Sequence, residues 1–157
     1  MDIQRIMRTA LASSLLVLPT FGSAQAILTV TNSESSATYT LEELLAMPQT
    51  TVVTKNDYVD DLTTFQGPSL RSVLNDMDID RTANLKMVAL NDFASEVPAG
   101  DAFTYDVILA VLRDGEVMSV RDKGPIWIIY PMDDYPELQD DVFNGRLVWQ
   151  LKSISVE

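Results

Sequence analysis

Few side chains in this sequence are equipped for covalent chemistry. Histidine and cysteine are both absent from its 157 residues. That removes the commonest general base, the commonest metal ligand, and every Ser-His or Cys-His nucleophile arrangement. Carboxylates occur in adjacent pairs, Asp133-Asp134 and Asp140-Asp141, but neighbours in sequence rarely converge on one substrate atom, so they read as solvated acidic faces. The run Asp76–Asp80, "DMDID", imitates the start of a calcium loop. It fails where such a loop needs Gly at the sixth position and Glu at the twelfth, because Arg81 and Met87 stand there. No glycine-rich phosphate cradle is present. The chemistry left is recognition, carried by rings and a few charges.

The most pointed of these stretches is residues 122–136, "DKGPIWIIYPMDDYP". Trp127 and Tyr130 sit in a strand-like run at a spacing that sends them to opposite faces, so both cannot share one core face. One ring is free to enter a core while the other meets a ligand or a partner. Arg121 and Lys123 precede them as a basic pair, suited either to a ligand or to an exposed edge.

The elements that must position these residues alternate between short strands and short helices. "ILTVTN" alternates as a strand, and "ATYT" continues a sheet edge or hairpin. "TLEELLAMP" is a short helix, with Thr40 as cap, Glu43 returning the bond, and Pro48 just beyond its end. "TTVVTKN" is a β-branched strand. "DYVDDLTTFQG" is polar and reads as a long loop ending near Phe65. "GPSLRSVLNDMDI" reads as a helix with Pro68 in its first turn and Leu70, Val73, Leu74 and Met77 on one face. "NLKMVALND" is a strand with apolar residues on both sides, which predicts a central position. Asp114-Gly115 marks a tight hairpin turn, although Val107–Leu112 alone also suits a helix. "IWIIYP" is a strand, and "NGRLVWQLKSISVE" closes the chain as a strand alternating Leu147, Trp149 and Leu151 with Val148, Gln150 and Lys152. The result is a mixed α/β domain, short helices against a mostly β framework.

Residues 1–26 have the grammar of a secretory signal. Arg5 and Arg8 precede an apolar stretch, Ala10–Leu18, too short to span a bilayer, and Ala24-Gln25-Ala26 offers a cleavage site. No cysteine follows for lipid attachment. Cleavage after Ala26 leaves residues 27–157 as one domain, expected in the periplasm. Losing Asp2, Arg5 and Arg8 takes 23 acidic and 11 basic residues to 22 and 9, a net charge of −13. Such a surface repels nucleic acid and anionic lipid but not a neutral or cationic small molecule.

Six segments in order, "YTLEELLAMP", "FQGPSLRSVL", "LKMVALNDFASEVP", "DVILAVLRDGEVM", "KGPIWIIYP" and "GRLVWQLKSISV", resemble the molybdopterin-binding domain of the sulfite oxidase family. The likeness is to short exported members made of that domain alone, and it runs from about Tyr39 to Val156. It implies an α+β mixed-sheet fold. In catalytic members a cysteine thiolate ligates molybdenum in the region matching "TTVVTKN", where this chain has Thr54 and no thiol, and a hydroxyl is a far poorer ligand. The catalytic branch also places a basic residue where this chain has Trp127. Some short relatives act as pterin-binding proteins that signal to a membrane receptor controlling cyclic di-GMP. The resemblance therefore implies an exported, non-catalytic pterin-binding protein without a metal, whose partner is the periplasmic domain of such a receptor. The alternative is a molybdenum-cofactor-dependent oxidoreductase.

A pterin is flat, with hydrogen-bond donors and acceptors along one edge. It needs an aromatic face and a carboxylate or amide. Asn91 and Asp92 follow a strand and either project into a cleft or bond only their own turn. Asp92 is the candidate edge-pairing carboxylate, and Phe93 is either stacking wall or core. Trp127, just after Gly124-Pro125, is the candidate to reach the pocket, with Tyr130 as core or contact. Arg121 and Lys123 approach a ligand carbonyl or remain exposed. Thr54, Asn56 and Asp57 close one wall near the vacated metal-ligand region.

Overall fold

The computed structural model describes residues 24–157. Most of the expected signal segment, residues 1–23, lies outside them. The chain opens with β1 (Ala26–Thr31) and turns back into β2 (Ser36–Thr40). Thr40 then caps α1 (Leu41–Ala46): its side chain accepts from the Glu43 amide while the Glu43 carboxylate accepts from the Thr40 amide. That reciprocal pair contributes about 1 kcal/mol to a helix too short to stand alone.

β3 (Gln49–Asn56) and β4 (Val59–Pro68) form a long antiparallel hairpin. The segment expected to be a loop is thus a ten-residue strand. Its inward positions are Val59, Thr63, Phe65 and Gly67, while Asp60, Asp61 and Leu62 are exposed, so the apolar alternation is thin. Gly67 is required by packing: a Cβ there would collide with the Leu109 carbonyl oxygen. Pro68 ends the strand, and Ser69 rather than Pro68 begins the helix, accepting from the Ser72 amide at the head of α2 (Leu70–Asp76). Leu70, Val73 and Leu74 are buried on its inner face, as their spacing predicts.

β5 (Asn84–Ala89) and β6 (Ala94–Pro98) follow, then α3 (Gly100–Thr104). The five-stranded sheet runs β2-β1-β11-β5-β6, with β11 (Leu151–Val156) parallel to β1 and antiparallel to β5. β5 is interior, as expected, but only Leu85, Met87 and Ala89 are buried. Leu90, just past its end, is exposed, so the expectation of burial on both faces fails.

β7 (Ile108–Ala110) carries the chain to β8 (Leu112–Arg113) and β9 (Glu116–Val117), joined at Asp114-Gly115. Both turn residues have positive φ, 50° and 84°, the signature that this dipeptide supplies. β10 (Trp127–Ile129) pairs with β7. The last helix, α4 (Asp141–Asn144), is a single turn capped by Asp140. Between it and β11 the backbone is irregular, so the expected closing strand begins only at Leu151.

Two apolar cores result, and β7 and β10 form the wall between them. Ile126, Ile128, Tyr130 and Leu109 face the larger core with α1, α2 and the five-stranded sheet. Trp127, Ile129, Ile108 and Ala110 face the smaller core with Val52, Val59 and Phe65. The opposite-face argument for Trp127 and Tyr130 is therefore met, but both faces are interior.

Candidate functional site

Three separate segments meet at one end of the molecule. The first is the β3–β4 tip, where Asn56 pairs with Val59 across the Asp57-Tyr58 turn and the Asn56 Oδ1 accepts from the Tyr58 amide at 2.9 Å. The turn lifts Tyr58 out of the sheet, leaving it 42% exposed. The second is the bend after β5: Asp92 takes φ 66°, its amide donates to Ala89, and the Asn91 side chain accepts from the Phe93 amide. This bend turns Phe93 outward, 53% exposed. The third is the irregular stretch from Gly145 to Gln150. Gln150 has φ 52°, and its amide and side chain donate to the carbonyls of Lys123 and Val120.

That third stretch brings Trp149 against Tyr58, edge to face, with centroids 4.7 Å apart. Tyr58, Phe93 and Trp149 together with Leu147, Asn91 and Asn144 enclose a mainly apolar pocket of about 190 Å³. Asn144 is also in the wall of a second, more polar cavity of about 580 Å³, whose charged lining is Lys55, Asp57, Asp60 and Asp133. The two hollows are neighbours that share Asn144 in their walls, the first mainly aromatic and apolar, the second acidic.

The acidic hollow is built with some precision. One carboxylate oxygen of Asp133 accepts from the Lys55 amide and the Thr54 hydroxyl, each at 2.8 Å. The Lys55 amide, with the Thr54 hydroxyl behind it, holds the Asp133 carboxyl below its usual range despite some desolvation. Asn144 donates to Asp57 at 2.6 Å, tying α4 to the hairpin tip. The Asn56 Nδ2, also in this wall, is buried with no hydrogen-bond partner among the described residues. A buried donor of this kind costs about 1–3 kcal/mol until an acceptor reaches it.

The residues expected from sequence divide into two groups. Asn91 and Phe93 line the aromatic pocket, Asp57 lines the acidic one, and Thr54 stands behind it holding Asp133. The others lie elsewhere. Trp127 is fully buried against Phe65, and its indole N–H donates to the Leu147 carbonyl, so it does not reach the pocket. Tyr130 is equally buried; its phenol donates to Asp101 at 2.7 Å, and Arg146 pairs with the same carboxylate oxygen at 2.6 Å. Burial, then the Asp101 carboxylate, pushes the Tyr130 phenol well above its usual range, so it stays a neutral donor.

Asp92, the candidate edge-pairing carboxylate, lines neither hollow and pairs with Lys152 at 2.6 Å, a bond that lowers its own pKa. Arg121 is exposed and lines neither hollow. Lys123 also lies outside both, with its ammonium 5.4 Å from the Trp149 ring and 5.6 Å from Trp127. The residues missed are Tyr58, Trp149, Asn144 and Asp133. Two turn signals, Asn56-Asp57 before Tyr58 and Asn144-Gly145 before Trp149, mark where the backbone leaves regular structure; none marks Asp133.

The mixed α+β architecture is the one expected for a sulfite-oxidase-like domain. The solved structure of the sulfane dehydrogenase SoxCD from Paracoccus pantotrophus superposes with a TM-score of 0.59 at 15% identity, covering 82% of this chain and 37% of that one. At that identity the likeness shows the fold alone, and this chain spans little more than a third of that chain's length. No family model matches, and no curated protein matches.

The cofactor implied by that fold is a poor match to this cleft. The Thr54 hydroxyl, in the strand where the sequence resemblance puts the metal-binding thiolate, is buried and donates to Asp133. With no cysteine in the sequence, nothing here offers the thiolate expected to hold molybdenum in a catalytic sulfite-oxidase-like site. A phosphate-bearing group would also meet Asp57, Asp60 and Asp133, with Lys55 as the one cation lining the cavity among the described residues.

Proposed function

We propose that this protein is an exported, non-catalytic pterin-binding protein. The observation that carries the reading is the Tyr58–Phe93–Trp149 pocket beside an acidic cavity, with Asn144 in the wall of both. The aromatic walls suit a flat bicycle, and stacking contributes roughly 0.5–1.5 kcal/mol beyond area burial. Asp57 or Asp133 receives the donor-rich edge, and a hydrogen bond to a charged acceptor contributes roughly 1.5–3 kcal/mol.

The signalling part of the proposal rests on the family resemblance and on the exposed rim. Tyr58 and Phe93 stand at the mouth, so occupancy changes the surface offered to a partner. A periplasmic receptor domain that prefers one occupancy state is thereby linked to pterin concentration, and through the receptor to cyclic di-GMP. Native purification from the source organism, followed by mass analysis and titration with reduced and oxidised pterins, tests the binding. The expected result is a co-purifying pterin and one saturable site; no binding to either form sinks the proposal.

The likeness to a sulfane dehydrogenase supports a second reading, a molybdenum-dependent oxidoreductase. Metal analysis of the same native sample separates the two. Stoichiometric molybdenum with dye-linked turnover establishes the second at the expense of the first.

A further inference from the structure

The one charged side chain near both tryptophans has no ion-pair partner among the described residues. Lys123 takes a left-handed backbone conformation, φ 73°, at the end of a short helical turn, Val120–Asp122. That conformation is fixed from both sides: the Lys123 carbonyl accepts from the Gln150 amide at 2.9 Å, and the next amide, of Gly124, donates to Ser119 at 2.8 Å. A Cβ at Gly124 would collide with the Met118 carbonyl oxygen, so the turn accepts no larger residue beside the lysine. The side chain is thus delivered by a rigid turn, partly buried, to a place between two indoles.

One of those indoles does not need it. Trp127 is enclosed on a strand and holds a hydrogen bond of its own to Leu147. Trp149 has neither support. It sits on irregular backbone and makes no hydrogen bond among the described residues, and beside it is the 42% exposed ring of Tyr58. Its ring is nevertheless the aromatic wall of the small pocket. Lys123 does not line that pocket, so its ammonium meets the indole from outside it.

We infer that Lys123 is a positioning residue: by a cation–π contact it fixes the Trp149 indole as a rigid wall, so that the pocket is formed before a ligand arrives. The inference deepens the pterin reading, but its mechanical half, the anchoring of Trp149, stands without it. A cation held against an indole in partly desolvated surroundings stabilises one ring orientation. A wall that is already ordered spares the ligand the entropy of ordering it. The lysine thus acts through Trp149 and never touches the ligand.

The test uses the chain's two tryptophans labelled with fluorine, giving two resonances, assigned with Trp149→Phe. Lys123→Met removes the charge and keeps an unbranched side chain, so the left-handed backbone bears the same strain. Lys123→Arg keeps the cation. In Lys123→Met the Trp149 resonance is expected to broaden or shift toward its solvent-exposed value, with the Trp127 line width unchanged, and tetrahydropterin affinity to fall roughly 3- to 10-fold. Lys123→Arg should restore both. A folded Lys123→Met protein with an unaltered Trp149 line overturns the inference. So does weakened binding with an unaltered line, which would make Lys123 a direct ligand contact. If the wild type binds no pterin at all, the functional reading fails, and the fluorine spectra alone decide whether Lys123 anchors Trp149.

Discussion

Trp127 and Trp149 both lie within 6 Å of the Lys123 ammonium, measured to the ring centres, yet their surroundings differ in kind. Trp127 belongs to β10, a strand paired with β7 in the wall between two apolar cores, and its ring is sealed against Phe65. Trp149 belongs to a stretch where the backbone has left the strand, and its ring faces a cavity shared with Tyr58 and Phe93. Ring chemistry is the same in both places. The difference lies in the surroundings: Trp127 is closed in by a paired strand and Phe65, whereas Trp149 meets Tyr58 at the edge of a pocket.

The contrast breaks first at Trp127. Trp127→Ala should destabilise the protein by about 3–5 kcal/mol, because it leaves a cavity in the smaller core and an unpaired Leu147 carbonyl. Urea or guanidinium unfolding measures it, and a loss below about 1 kcal/mol would mean the ring is not core. Nearly as large is the effect of Asp101→Ala. It strands the Arg146 guanidinium, 19% exposed, and the Tyr130 hydroxyl without their shared acceptor. Roughly 3 kcal/mol is expected. Because Arg146 follows the Asn144-Gly145 corner of the cleft, pterin affinity should fall with it.

Trp149→Ala should cost only about 1 kcal/mol of stability, since the ring is partly exposed and leaves no sealed void. Its effect belongs to binding instead. The smallest expected change concerns Asp133, whose folded-state pKa is held below the ordinary carboxylate value chiefly by the Lys55 amide. A depressed folded pKa stabilises the fold above the unfolded pKa of about 3.9, and that contribution fades as pH falls through the folded value. In Asp133→Asn this limb of the acid-unfolding curve should flatten, because the small contribution is lost at neutral pH and little changes below the folded pKa. An unchanged acid limb would show that the Thr54–Asp133 contact is not maintained in solution.

Local signals were the legible part of this fold. Thr40 with Glu43, and Asp114 with Gly115, each act within a few residues, and both do what their spacing predicts. β4 was hidden because Thr63 and Gly67 hold buried positions that an apolar pattern would give to Val or Ile. The cleft was hidden for a different reason. Asn144 reaches Asp57 across 87 residues of sequence, and Asp133 reaches Thr54 across 79, so no window of sequence contains the site. Asp92 was not legible because an acidic residue in a turn looks the same whether it points to a ligand or to Lys152 on a neighbouring strand.

The claim that the aromatic hollow beside Asn144 holds a pterin is tested most directly by calorimetric titration of the wild type, Trp149→Ala and Trp127→Phe with one tetrahydropterin. The account predicts a single saturable site in the wild type, near-wild-type affinity in Trp127→Phe, and a loss of about tenfold or more in Trp149→Ala, from stacking and buried area together. Equal affinity in the wild type and Trp149→Ala, or no saturable heat in any of the three, would contradict it.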